Sequence, residues 1–138
     1  MKFLLYSLLL LSSMLINAQD VSGVYQWKSS SNDFELIRTL TLNTDGTFEY
    51  YNYRRIENGI PKETHTYGRG TWTQDKKVIS FTTEASGVND KFTLDFTGTK
   101  ARFITKSPRD KSDRIIKTAL SFFESEIFWI TGMKLIKQ

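Results

Sequence analysis

Apolar and polar residues alternate from Glu35 to Arg55 in two runs separated by Asn43-Thr44-Asp45-Gly46. Period-two alternation marks a strand with one buried face, and Asn, Asp and Gly accept the backbone angles of a tight turn. The stretch therefore predicts a β-hairpin closed by a type I turn with a glycine bulge at Gly46. Closure there sets the register. Leu42 faces Phe48, Leu40 faces Tyr50, Thr39 faces Tyr51, and Glu35 reaches Arg55. Leu40, Leu42, Phe48 and Tyr50 then share the inner face of a half-buried sheet.

The same reading extends along the chain. Gly23 to Trp27 is an alternating strand with Gly23, Tyr25 and Trp27 on one face, followed by a Ser- and Asn-rich loop over 28–33. Asn58-Gly59 and Pro61 make 57–62 a second turn. Thr64 to Thr73 is a strand in which Gly68 and Gly70 share the face of Trp72. That spacing predicts a sharp bend or a place where a large ring lies over the backbone. A polar turn over 74–77 leads to a strand at 78–84, with Ile79 and Phe81 on one side, and then to a loop over 85–90. Lys91 to Lys106 reads as another hairpin, closed by a two-residue type II′ loop at Gly98-Thr99. That register sets Leu94 opposite Phe103 and places Phe92, Leu94 and Phe96 on the inner face. After a charged loop over 107–113, residues 114–126 fit either a helical stripe or a strand with an irregular start; the strand is preferred because no N-capping box precedes the run. Ile127 to Lys137 closes the chain as a β-rich run that bends near Trp129 and Gly132. Eight or nine short strands with tight turns and no long helix close most economically into an antiparallel up-and-down β-barrel.

The N-terminus changes the picture of location. Lys2, an apolar run from Phe3 to Ile16 and a small residue at Ala18 read as a signal peptide over 1–18, too short and wrongly flanked for a lasting membrane span. Residues 19–138 then form one exported domain, periplasmic or secreted. The sequence has no cysteine, so such a domain stands on its core without disulfides. The formal charge is +4 over all 138 residues and drops by one when Lys2 leaves. Lys and Arg are scattered, which suits solubility and gives no nucleic-acid footprint.

Gly23-x-Tyr25-x-Trp27, Leu40-Thr41-Leu42-Asn43-x-Asp45-Gly46-Thr47-Phe48, Gly70-x-Trp72 with Ile79-Ser80-Phe81, and a closing Met133-Lys134-Leu135-x-Lys137 together resemble the lipocalin-like, calycin-type domains of secreted bacterial proteins. Tyr25 stands where that family opens with Trp, and the cysteines that often staple such barrels are missing. The resemblance implies a barrel that holds a small apolar ligand. It implies no particular ligand and no activity.

Candidate chemistry is sparse. His65 is the one histidine, which excludes a two-histidine metal site, and it reads as a surface strand residue. No carboxylate pair is placed across a cleft, and Gly68-Arg69-Gly70 lacks the lysine and helix of a phosphate loop. The expectation is a non-enzyme without metal or cofactor. Tyr50, Tyr51 and Tyr53 with Arg54 and Arg55 form a candidate stacking platform, for glycan before nucleic acid, although a two-sided strand would bury these rings alternately on core and neighbour.

One gradient remains. Away from the hairpin turn the inner pairs run Leu42/Phe48, Leu40/Tyr50, Arg38/Asn52 and Leu36/Arg54, apolar first and polar last. This predicts a cavity greasy at one end, with Arg38, Asn52 and Arg54 toward the other. An apolar ligand with an anionic head would place its body among Leu40, Phe48, Tyr50 and Trp72 and its head at Arg38 or Arg54. The expected protein is a monomer that binds such a ligand, with no nucleic-acid partner. The alternative is a secreted interaction or inhibitor module whose barrel is filled and structural, using outer aromatics such as Tyr51 and Tyr53.

Overall fold

A computed structural model describes residues 20–138, so the expected leader lies outside the described residues. Nine strands follow one another: β1 (Gly23–Ser30), β2 (Phe34–Leu42), β3 (Thr47–Ile56), β4 (Glu63–Asp75), β5 (Val78–Thr82), β6 (Phe92–Leu94), β7 (Thr99–Ile104), β8 (Ala119–Glu124) and β9 (Lys134–Lys137). The only helical element among the described residues is a single 3-10 turn at Ala85–Gly87. Every strand except β6 pairs antiparallel with its neighbours. The circuit runs β1, β2, β3, β4, β5, β7, β8, β9 and back to β1, an eight-stranded barrel closed by a short β1–β9 seam.

The β2–β3 hairpin has the register its turn chemistry predicts, with Leu42 opposite Phe48, Leu40 opposite Tyr50 and Glu35 opposite Arg55. Gly46 takes φ +87°, where a side chain would strain the turn. Asp45 Oδ1 accepts from the Thr47 amide at 2.9 Å and from its hydroxyl at 2.6 Å. Those two donors hold the exposed Asp45 carboxyl below its ordinary pKa.

Because β1 and β4 flank this hairpin, their registers extend it into layers. Gly23, Leu42, Phe48 and Gly70 form the deepest, then Tyr25, Leu40, Tyr50 and Gly68, then Trp27, Arg38, Asn52 and Thr66, then Ser29, Leu36, Arg54 and Thr64. The two glycines of β4 mark close approaches. A Cβ on Gly68 would lie 2.5 Å from the Phe96 ring, and one on Gly70 would lie 2.0 Å from the Thr82 carbonyl oxygen. Phe96 thus lies over the backbone at Gly68 and meets Phe48 and Tyr50 at ring-centroid distances of 5.2 Å each. Phe81 bridges Phe48, at 5.1 Å, to Phe122, at 5.6 Å. These rings fill the barrel below the second layer.

The end that carries the 43–46 turn is closed. The Trp72 amide donates to the Gly46 carbonyl at 2.8 Å, and its indole Nε1 donates to the Asn43 carbonyl at 3.1 Å. Tyr25, fully buried, donates its hydroxyl to the Val21 carbonyl, and burial pushes its pKa up to about 12.

Residues 91–106 do not form the expected hairpin. A turn is present, with the Thr99 amide bonded to the Phe96 carbonyl at 2.9 Å and Gly98 at φ +83°. The flanking strands nevertheless part: β6 runs parallel to β4, while β7 pairs with β5 and β8. Thr83 supplies the reason. Its hydroxyl accepts from the Phe96 amide at 3.0 Å and donates to the Arg69 carbonyl at 2.9 Å, while its carbonyl accepts from the Thr97 hydroxyl at 3.1 Å. A register shift along β4 then sets Phe92 beside the outward Tyr67 and Leu94 beside the inward Gly68, so the two do not share a face. The ambiguous 114–126 run resolves as irregular chain followed by β8. Gly132 turns at φ +90° and directs the buried Met133 and Leu135 inward.

Candidate functional site at the open end of the barrel

Opposite the closed end, the 31–33, 57–62, 83–98 and 125–133 connections surround an opening. It is a cavity of about 530 Å³ lined by Phe34, Leu36, Arg38, Asn52, Arg54, Thr64, Thr66, Leu94 and Trp129. Its walls are the third and fourth layers of β2, β3 and β4. Leu94 reaches it because β6 crosses the end of the barrel, and Trp129 because the 125–133 connection folds back over Tyr50, at a ring distance of 6.1 Å.

Of the seven residues expected at the site, Arg38, Asn52 and Arg54 line this cavity. Leu40, Phe48 and Tyr50 lie one or two layers deeper, each at most 1 % exposed and packed against other rings, and Trp72 closes the far end. Tyr50 is the floor. Its hydroxyl donates to Met133 Sδ at 3.9 Å, and burial raises its pKa well above the ordinary phenol value against a smaller downward pull from Arg38.

Arg38 has aromatic neighbours. Its guanidinium carbon sits 5.6 Å from the Trp27 ring centroid and 5.1 Å from that of Trp129, within reach of two indoles that attract a cation. Among the described residues no carboxylate is ion-paired with Arg38 or with Arg54. Two buried polar atoms at the mouth, Arg38 Nε and Asn52 Oδ1, make no hydrogen bond among the described residues, and the two residues are opposed across the β2–β3 ladder.

A second cavity, of about 550 Å³, adjoins the first and shares Arg38 and Trp129 with it. It opens where β1 and β9 pair only at Tyr25–Lys137 and Gln26–Ile136, so the barrel wall gapes beyond Gln26. Trp27, Met133, Lys134 and Ile136 line it.

Sequence reasoning missed Phe34, Thr64, Thr66, Leu94 and Trp129 in this cavity and Trp27 in the adjoining one. Trp27 and Thr66 were within reach, since pairing β1 and β4 onto the hairpin places both in the layer of Arg38 and Asn52. Leu94 and Trp129 arrive through crossings that no local pattern announces.

The outer face of β3 and β4 carries a separate row of rings. Tyr51 stacks on Tyr67 at 5.1 Å and on His65 at 6.0 Å, Tyr53 meets His65 at 5.3 Å, and Phe92 extends the row from Tyr67 at 5.8 Å. The Tyr51 hydroxyl hydrogen-bonds His65 Nδ1 at 2.8 Å, and Tyr53 donates to Glu63 at 3.1 Å. Tyr50 is not part of that row, because its side chain points into the barrel. Among the described residues no three His, Cys, Asp or Glu side chains come together to hold a metal ion. Comparison with protein-family models, with curated proteins and with solved structures gives no match.

Proposed function

We propose that this chain is an exported, lipocalin-like barrel that binds a small, mostly apolar ligand with an anionic head at its open end. The observation that carries the reading is a pair of guanidinium groups, Arg38 and Arg54, in one cavity and without a carboxylate partner among the described residues. Arg38 is half-buried and Arg54 exposed at the rim; a half-buried cation without an internal partner suits an anion, and arginine recognises carboxylates through paired N–H donors. The cavity volume lies within the usual range for small-molecule sites. Because aromatic packing fills the barrel below Tyr50, the ligand's body lies against Phe34, Leu36, Leu94 and Trp129 and does not descend to Leu40, Phe48 or Trp72. The leader-like run over 3–16 supports export.

The test is a fluorescent fatty-acid-like probe titrated into the wild type and into Arg38→Ala/Arg54→Ala. The double variant is expected to lose about 1.5–3 kcal/mol of binding, the worth of a charged hydrogen bond. Equal affinity in both proteins, or none in either, overturns the reading.

The outer row of Tyr53, His65, Tyr51, Tyr67 and Phe92 favours a second reading, an interaction module on a filled barrel. The two readings differ under one ligand: an amphiphile that enters the mouth raises the melting temperature, whereas a purely structural barrel ignores it.

A further inference from the structure

We infer that the ligand's head group carries a hydrogen-bond donor beside its carboxylate, as in a hydroxy acid, with Arg38 and Asn52 reading the two groups together. The inference rests on the ligand-binding reading above and specifies the chemistry of that same site.

It starts from the two unsatisfied atoms. Arg38 Nε and Asn52 Oδ1 are both buried, and neither has a partner. They are opposite in kind, since the guanidinium N–H only donates and the amide oxygen only accepts. Arg38 and Asn52 are directly opposed on neighbouring strands, and both line the same cavity. Arg38 lies within cation–π distance of both Trp27 and Trp129, and because both unpaired atoms are closed to solvent, a head group reaches them as the Arg38 and Asn52 side chains turn toward the cavity.

A plain carboxylate satisfies only half of this pair. Its oxygens accept from Arg38 Nε, but it brings no hydrogen to Asn52 Oδ1 and sets lone pairs against lone pairs there. An alkanol can donate to Asn52, yet it brings no charge to Arg38 and Arg54. A carboxylate with a hydroxyl on the adjacent carbon meets both demands at once. The carboxylate takes the arginine N–H, and the hydroxyl donates to the amide oxygen. Buried polar groups left unpaired discriminate more sharply than apolar fit does, so this pair, rather than the apolar walls, sets the choice of head group. A methylene more or less along Leu36 or Leu94 shifts affinity weakly by comparison.

The experiment compares decanoate, 2-hydroxydecanoate and 1-decanol by calorimetric titration of the wild type and of Asn52→Leu, with circular dichroism confirming that each variant is folded. Wild type is expected to bind 2-hydroxydecanoate about tenfold more tightly than decanoate, and 1-decanol most weakly. In Asn52→Leu the advantage of the hydroxyl is expected to vanish while decanoate binding persists. If Asn52→Leu does not fold, Asn52→Ala makes the same comparison. Equal affinity of the wild type for the two acids overturns the head-group inference and leaves the ligand-binding reading standing, with water satisfying the two atoms. A hydroxyl preference that survives removal of Asn52 also overturns it. Binding of none of the three compounds overturns both.

Discussion

At the scale of single residues, the three tryptophans divide the molecule. Trp72 ties β4 to the hairpin turn through its amide and its indole, and packs half-buried on the core, so it acts as a lid for the closed end. Trp72→Ala is expected to cost about 3 kcal/mol, the low end for removing a packed aromatic because one side of the ring already meets solvent. Trp72→Phe keeps most of the packing and loses only the bond to the Asn43 carbonyl, about 1 kcal/mol. Urea unfolding of both variants checks the order, and an alanine variant as stable as the wild type would remove Trp72 from the closed end. Trp27 and Trp129 lie at the open end, each within cation–π distance of Arg38. All three tryptophans are plain in the sequence, but alternation tells only which face a side chain takes. Whether the space it enters is filled depends on Phe81, Phe96 and Phe122, which come from distant strands. For that reason the arginines and Asn52 were legible as mouth residues, while the depth of the cavity was not.

Among the elements, what could be read from the sequence follows how local the determining chemistry is. The β2–β3 register was legible because the turn that fixes it lies between the two strands, with Asn43, Asp45 and Gly46 all supplying its bonds. The 91–106 run has equally good hairpin chemistry and does not pair, because Thr83, outside the run, captures Phe96 and Thr97. Tertiary bonds there outweigh a local preference. Thr83→Val keeps the volume and removes the hydroxyl, leaving the buried Phe96 amide without its acceptor. We expect a loss of about 1–3 kcal/mol and faster proteolytic cleavage between 84 and 98, since the crossing that brings Leu94 over the mouth is pinned at that point. A variant with the wild-type protease pattern would show that Thr83 does not hold the crossing. The seam between β1 and β9 is short, two ladder pairs extended by the Gln138 amide donating to the Val24 carbonyl at 2.8 Å, and the second cavity opens beside it.

For the molecule as a whole, the barrel is polarised. Its layers pass from Gly23, Leu42, Phe48 and Gly70 at the closed end to Ser29, Leu36, Arg54 and Thr64 at the open one, so one end supplies stability and the other is free to bind. That division makes a direct measurement available. The chain has three tryptophans, and their indole N–H groups give separate signals in a ¹⁵N-labelled protein. On titration with 2-hydroxydecanoate, the Trp27 and Trp129 indole signals should move together and saturate, while Trp72 stays in place. Movement of Trp72 alone, or of none of the three, would contradict a binding site at the open end.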